Sequence, residues 1–398
     1  VPENPPPDLG RLRRQLQRLR ASVYSQADPT ANESLLAELR AAEKALREAE
    51  SQAAPGRKAE PSEAPTPAGR FLGANSTGLK VEPVLAMNPV PTAVYPFLDP
   101  ETDPLLTVTI TNTSLNAGNK RVRVSSWIEG LSAETVRTVE IKRGQSSPTI
   151  KLLPLLFPER VKLVTETQRA TLHLQVDDLD GKLESHDTFP IVLLARTSGL
   201  NAATDPATGS PKNLTHYYAA WVTPHAERIQ ERIRRAAALH PAKALSGYIH
   251  GGAERVREQV RALFQALREC DIAYINSVID FGALAGTVTQ RARLPWESLA
   301  QKSANCLDGS LLFASLLEGA SLSPALLLVP GHALVGWESD DGRGDWQFLE
   351  STMLGTHDFD AACASGQKQY DQVQEFYPES FHLHRIADLR SRGIWPME

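Results

Sequence analysis

The chain has 398 residues, 41% of them hydrophobic and 22% charged, with a formal net charge of -5. That length points to two or three units, and the negative balance excludes a nucleic-acid binder relying on a general basic field. No apolar run reaches the ~18 residues of a membrane span, and Cys270, Cys306 and Cys363 are too few, and odd in number, for a disulfide framework.

Residues 8–53 read as two helices forming a hairpin or coiled coil. Leu9, Leu12, Leu16, Leu19 and Val23 fall three and four apart on one stripe. Thr30 and Glu33 suit a capping box, after which Leu35, Leu39, Ala42 and Leu46 repeat the spacing. The first helix carries Arg11, Arg13, Arg14, Arg18 and Arg20, and the second Glu33, Glu38, Glu43, Glu48 and Glu50, so an antiparallel pair matches opposite charges. Its narrow core suits self-association or partner binding, and equally a solvated hairpin leaning on its own chain. Residues 54–77, rich in Pro, Ala, Ser and charge without periodicity, compose a flexible linker.

Over residues 78–198 the period becomes two. "LTVTITNTS", "KRVRVSSWIEG", "ETVRTVEIKRG", "RATLHLQVDD" and "FPIVLLAR" are short strands separated by Gly, Pro, Asn and Asp. With no helix between them they predict an antiparallel β-sandwich of immunoglobulin-like type. "DDLDGK", Asp177 to Lys182, lacks the ligand spacing of an EF-hand and reads as an Asp-Gly hairpin turn. "NAATDPATGSPKN" then reads as a second polar break.

Residues 212–398 change pattern again. "ERIQERIRRAAALH" and "ERVREQVRALFQALREC" are amphipathic helices. A helix from about Leu307 to Gly319 follows Cys306, and then come the strand-like "PALLLVPGHALVGWE" and "GDWQFLEST", joined by the turn "SDDGRG". Helices followed by antiparallel strands make an α+β plan.

Cys306 stands where a helix dipole and free N–H groups favour a thiolate and could receive an oxyanion. A thiol nucleophile needs an imidazole to take its proton and a carboxylate to orient that imidazole. His332, after Pro330-Gly331, and Glu350, at the end of the next strand, supply them. Pairing through the Ser339–Asp345 turn is expected to set Val335 near Gln347 and His332 near Glu350, on strands ~4.8 Å apart. Asn305 suits the helix N-cap and Asp308 its first turn. Gln301 is an oxyanion candidate, and equally an exposed turn residue. Trp337 and Trp346 are expected to pack the strands, and "HLH" at His382–His384 to place one ring inward and one outward. Alone, Cys306 would read as a core thiol and His332 as a structural histidine. A zinc site from the same residues lacks a fourth ligand, and neither a metal nor a cofactor is expected.

"NCLDGSLLFASLLE", "PGHALVGW" and "FLESTMLG" together resemble the transglutaminase-like superfamily of papain-like cysteine enzymes, in a bacterial branch, from about Leu214 to Ile394. The resemblance implies Cys306 as nucleophile, His332 as base and Glu350 as orienting acid, where the superfamily more often has Asp. The expected function is a cysteine peptidase or amidase acting on a protein. The alternatives are a protein cross-linking transamidase and an inactive transglutaminase-like adaptor. No basic stretch with an apolar core opens the chain at Val1, so no signal peptide is expected, and a cytoplasmic location is.

Overall fold

A computed structural model of the chain describes residues 41–42, 45, 70–71, 78–114, 118–180, 183–204, 211–249, 251–275, 279–280, 287–329, 332–376 and 382–397. The hairpin expected over 8–53 and the linker over 54–77 lie almost wholly outside the described residues. The rest is mixed α+β, with several small sheets and two main buried cores.

The first core belongs to the strands expected from the period-two stretch. In chain order they are β1 (Arg70–Phe71), β2 (Leu79–Leu85), β3 (Leu106–Asn112), β4 (Lys120–Ile128) and β5 (Thr135–Ile141). There follow β6 (Ile150–Leu152), the short helix α1 (Pro158–Val161), β7 (Gln168–Asp178) and β8 (Leu183–Leu193). They form two antiparallel sheets, β1-β2-β3-β6 and β5-β4-β7-β8. Alternation directs Val108 and Ile110 of one sheet and Val122, Val124, Leu172 and Leu174 of the other into one shared core. At "DDLDGK" the carboxylates of Asp177, Asp178 and Asp180 are engaged by Arg123, Lys120 and Arg121 at 2.8 to 2.9 Å, and β7 pairs with β8 from Asp178↔Leu183, as a hairpin requires.

The stretch read as a polar break is instead partly strand. β9 (Ser198–Thr204) and β10 (Pro211–Asn213) pair with each other, and β9 also pairs with β13 (Thr287–Arg291), in a sheet ordered β10-β9-β13-β12, where β12 is Ile279–Asp280. Its small and polar residues carry no apolar alternation, but the backbone is free to pair whatever the side chains are.

The second core surrounds one helix. Ahead of it come α2 (Glu227–Leu239), α3 (Ala253–Arg268), β11 (Ala273–Tyr274), α4 (Pro295–Gln301) and β14 (Ser303–Ala304). α5 (Cys306–Gly319) is then buried from Cys306 through Leu317. Apart from Asp308 and Glu318, each held by an arginine, its sequence is apolar or small all round, which is the mark of a helix with no solvent face. Behind it stand β15 (Pro324–Val329), β16 (His332–Glu338), β17 (Trp346–Leu349), α6 (Phe359–Phe376), β18 (His382–Arg385) and α7 (Ile386–Ser391). The sheet runs β17-β16-β15-β18, all antiparallel. Arg390 of α7 grips Glu318 at the end of α5 with two bonds of 2.9 Å and donates to the carbonyls of Ala219, Val222 and Ile394. No described helix is long and apolar enough to cross a membrane.

Two sequence expectations are corrected here. Val335 pairs with Leu349, not Gln347, and Trp337 takes Gln347, because the Ser339 N–H donates to the Asp345 carbonyl and fixes the turn. The offset is two residues, so every side chain keeps its face. His382 and His384 lie side by side, 6.2 Å between ring centres, because residues two apart in a strand share a face.

Candidate functional site

The N-terminus of α5 is fixed before any reacting group is considered. The Asn305 carboxamide oxygen accepts from the Asp308 N–H at 2.7 Å, as the expected N-cap requires, and Asp308 accepts from the Asn305 N–H, which closes a capping box. Asp308 does more than complement the dipole. It is 1% exposed and accepts from both the backbone N–H and the guanidinium of Arg293, each at 2.7 Å. Burial pushes its carboxyl up, against the pull of Arg293 and the Asn305 backbone. Arg293→Ala would leave that carboxylate without its cation, and a loss of about 3 kcal/mol in denaturant-measured stability is expected.

On the sheet side, the Ser310 hydroxyl donates to the carbonyls of Cys306 (2.8 Å) and Ala333 (3.2 Å). These bonds tie the first turn of α5 to the beginning of β16, where His332 stands. The close fit continues at Gly309, where a Cβ would lie 2.8 Å from the Ser351 hydroxyl.

His332 and Glu350 meet at 2.6 Å between Nε2 and Oε2, with side chains only 4% and 2% exposed. The register alone would not bring them so close. Glu350 stands just past β17 as the N-cap of a short 3-10 turn, and that departure from the strand turns its carboxylate toward the ring. The Cys306 thiol, at the head of α5, is near enough to the His332 imidazole to raise its basicity. Nε2 is the nitrogen that faces the carboxylate. Cys306, His332 and Glu350 are thus gathered at the head of α5, with the imidazole bonded to the carboxylate.

Electrostatics follow from this arrangement. Burial acts to lower the basicity of His332, but Glu350 and the hydrogen bonds outweigh it and raise the imidazole to about 10. Burial acts to raise Glu350, and His332 and Thr352 overcome it, leaving the carboxylate below its usual range. The pair is thus an imidazolium and a carboxylate at neutral pH.

Two partners of Glu350 were not anticipated from sequence. Thr352 donates its N–H (2.9 Å) and its hydroxyl (2.7 Å) to Oε1, and Gln369 on α6 donates its amide to Oε2 at 2.8 Å. Glu-Ser-Thr is a local turn pattern that could have suggested Thr352. Gln369 carries no sequence signal, since it arrives from a separate helix. Gly366, one turn earlier, permits the approach: a Cβ there would fall 2.6 Å from the Leu349 nitrogen. Glycine to alanine within a helix ordinarily stabilises by about 1 kcal/mol. Here the sign is expected to reverse, with Gly366→Ala costing about 1–3 kcal/mol in thermal unfolding as α6 is forced off β17.

The remaining candidates separate from the trio. Gln301 is exposed as the last residue of α4, and no described hydrogen bond joins it to Cys306, His332 or Glu350. Trp337 is fully buried, and Trp346 carries the Arg385 guanidinium 5.5 Å above its ring. Burial pushes the Cys363 thiol up to about 12, whereas Cys270 is half-buried against Arg232. Tyr274, also unanticipated, is 45% exposed, and partial burial of its ring, with the charges of Cys306 and Glu350 adding to it, pushes its phenol up to about 12. Among the described residues no group of three or more His, Cys, Asp or Glu could hold a metal ion.

Comparison with known proteins yields no match to any family model, curated protein or solved structure.

Proposed function

We propose that the chain is a cysteine hydrolase, a peptidase or amidase acting on a protein, whose C-terminal part is transglutaminase-like and whose two-sheet part is an immunoglobulin-like sandwich that positions it. The observation that carries the reading is the buried His332–Glu350 pair, 2.6 Å apart, brought to the head of the helix that begins with Cys306. In the reaction, the Cys306 thiolate attacks the amide carbon and forms a C–S bond. The amide nitrogen leaves as an amine after taking a proton from the His332 imidazolium. Water, losing its proton to His332, then attacks the thioester and releases the carboxylate and the thiol. The Cys306 N–H at the head of α5 has no intrahelical acceptor and suits the oxyanion better than the exposed Gln301. A lysine amine in place of water would give cross-linking through the same acyl-enzyme.

One observation favours a second reading. Cys306 is only 8% exposed, which suits an adaptor whose trio is a buried hydrogen-bond cluster. Alkylation of the native chain with iodoacetamide, followed by peptide mapping, separates the two. The hydrolase reading expects Cys306 to be labelled before the more exposed Cys270 and the buried Cys363. Labelling of Cys270 first, with Cys306 inert, overturns it.

A further inference from the structure

β11 and β14 form a two-stranded parallel sheet that ends two residues before Cys306, with Tyr274 opposite Ala304. The ladder runs through the neighbours of Tyr274 and not through Tyr274 itself. The Ala273 N–H donates to the Lys302 carbonyl at 2.9 Å and the Ile275 N–H to the Ala304 carbonyl at 3.0 Å. In a parallel pair alternate residues face the partner strand. The N–H and C=O of Tyr274 therefore face away from β14, and among the described residues nothing bonds them. A free strand edge of this kind is a ready template for another chain.

What adjoins the edge identifies its occupant. Tyr274 pairs with Ala304, two residues before Cys306 at the head of α5, so the edge runs beside that helix start and not on a remote face. Burial of the ring, with Cys306 and Glu350 adding to it, raises the phenol to about 12, so it stays a neutral donor. Tyr274 is 45% exposed and Ile275, just past the strand, 50%, so an apolar flank stands open beside the outward-facing backbone of Tyr274.

We propose that the outer edge of β11 at Tyr274 is the substrate subsite, and that it takes an extended polypeptide, added as a strand, whose scissile amide is thereby laid beside Cys306. This rests on the hydrolase reading and gives it a substrate class. The Tyr274 N–H donates to a substrate carbonyl and the Tyr274 carbonyl accepts a substrate N–H. A free small amide would make neither bond.

The test measures alkylation of Cys306 in the full chain by acetyl-alanine and acetyl-tetra-alanine chloromethyl ketones, sulfur forming the C–S bond as chloride leaves. Each rate is divided by that for iodoacetamide on the same protein, which corrects for thiol reactivity. The longer reagent is expected to gain about tenfold or more over the shorter, as one to two net hydrogen bonds would give. Tyr274→Pro removes the outward N–H and leaves the ladder to β14 intact, since edge strands tolerate proline. Tyr274→Ala keeps the N–H. The length gain should persist in Tyr274→Ala and fall to near unity in Tyr274→Pro. On the native protein, backbone N-methylation of the tetrapeptide should abolish the gain without any variant. A Cys306 that reacts with iodoacetamide but shows no length gain, or a gain that survives N-methylation, overturns the docking edge and leaves the nucleophile standing. A thiol inert to every reagent overturns both.

Discussion

Replacing His332 with alanine is expected to slow iodoacetamide labelling of Cys306 at pH 6 by at least about tenfold. A free cysteine, with a pKa near 8.5, is only about 0.3% thiolate at that pH. In the hydrolase reading the charged imidazole beside Cys306 is what activates it, and Glu350 keeps His332 charged by raising it to about 10. Part of that advantage is cancelled, because a stabilised thiolate is intrinsically a weaker nucleophile. The effect is therefore smaller at pH 8, where a free thiol ionises unaided, and the ratio of native to variant rates should shrink as pH rises. Cys363 supplies the internal reference: with its thiol pushed up to about 12, it should stay slow in both proteins. A ratio near one at pH 6 would mean that the His332 contact does not activate Cys306. The adaptor reading would then be the better one.

The trio was legible because its chemistry is written into residue types and local punctuation. A cysteine after Asn305 with Asp308 three residues on marks a helix start, and the structure caps α5 in that way. The strand pair carrying His332 and Glu350 was also legible, but its register was not, since turn geometry rather than hydrophobic pattern decides a two-residue shift. That error did no harm to the site, because the final approach of Glu350 is made by a turn beyond the strand. Groups that arrive from other elements left no trace. Gln369 reaches Glu350 only because Gly366 lets α6 lie against Leu349, and Arg293 reaches Asp308 from the chain ahead of α4. Tyr274 is beside Cys306 through a parallel pairing of two residues, too short to leave a periodic signal. β9 escaped notice for the converse reason, as its ladder with β13 needs no apolar alternation.

Glu350→Ala is expected to lower stability by about 3–5 kcal/mol, the cost of stripping one partner from a buried ion pair. The number follows from what the deletion strands. Four donors lose their acceptor together: His332 Nε2, the Gln369 amide, and the N–H and hydroxyl of Thr352. His332, with its side chain 4% exposed, has no water to turn to and must give up its charge. The pH dependence distinguishes this from simple loss of packing. His332 is raised in the folded chain, so its contribution is complete below about pH 6.5, its unfolded value, and is lost as pH climbs toward about 10. Glu350 is lowered, so its contribution is complete above its usual carboxylate value and is lost only as pH falls through the depressed one. Native thermal stability should therefore decline between about pH 6.5 and 10. In Glu350→Gln, which keeps the volume and removes the charge, His332 is no longer raised and the decline should flatten. Parallel curves for native protein and Glu350→Gln would show that the carboxylate does not hold the imidazolium, and the electrostatic account of the site would fail there.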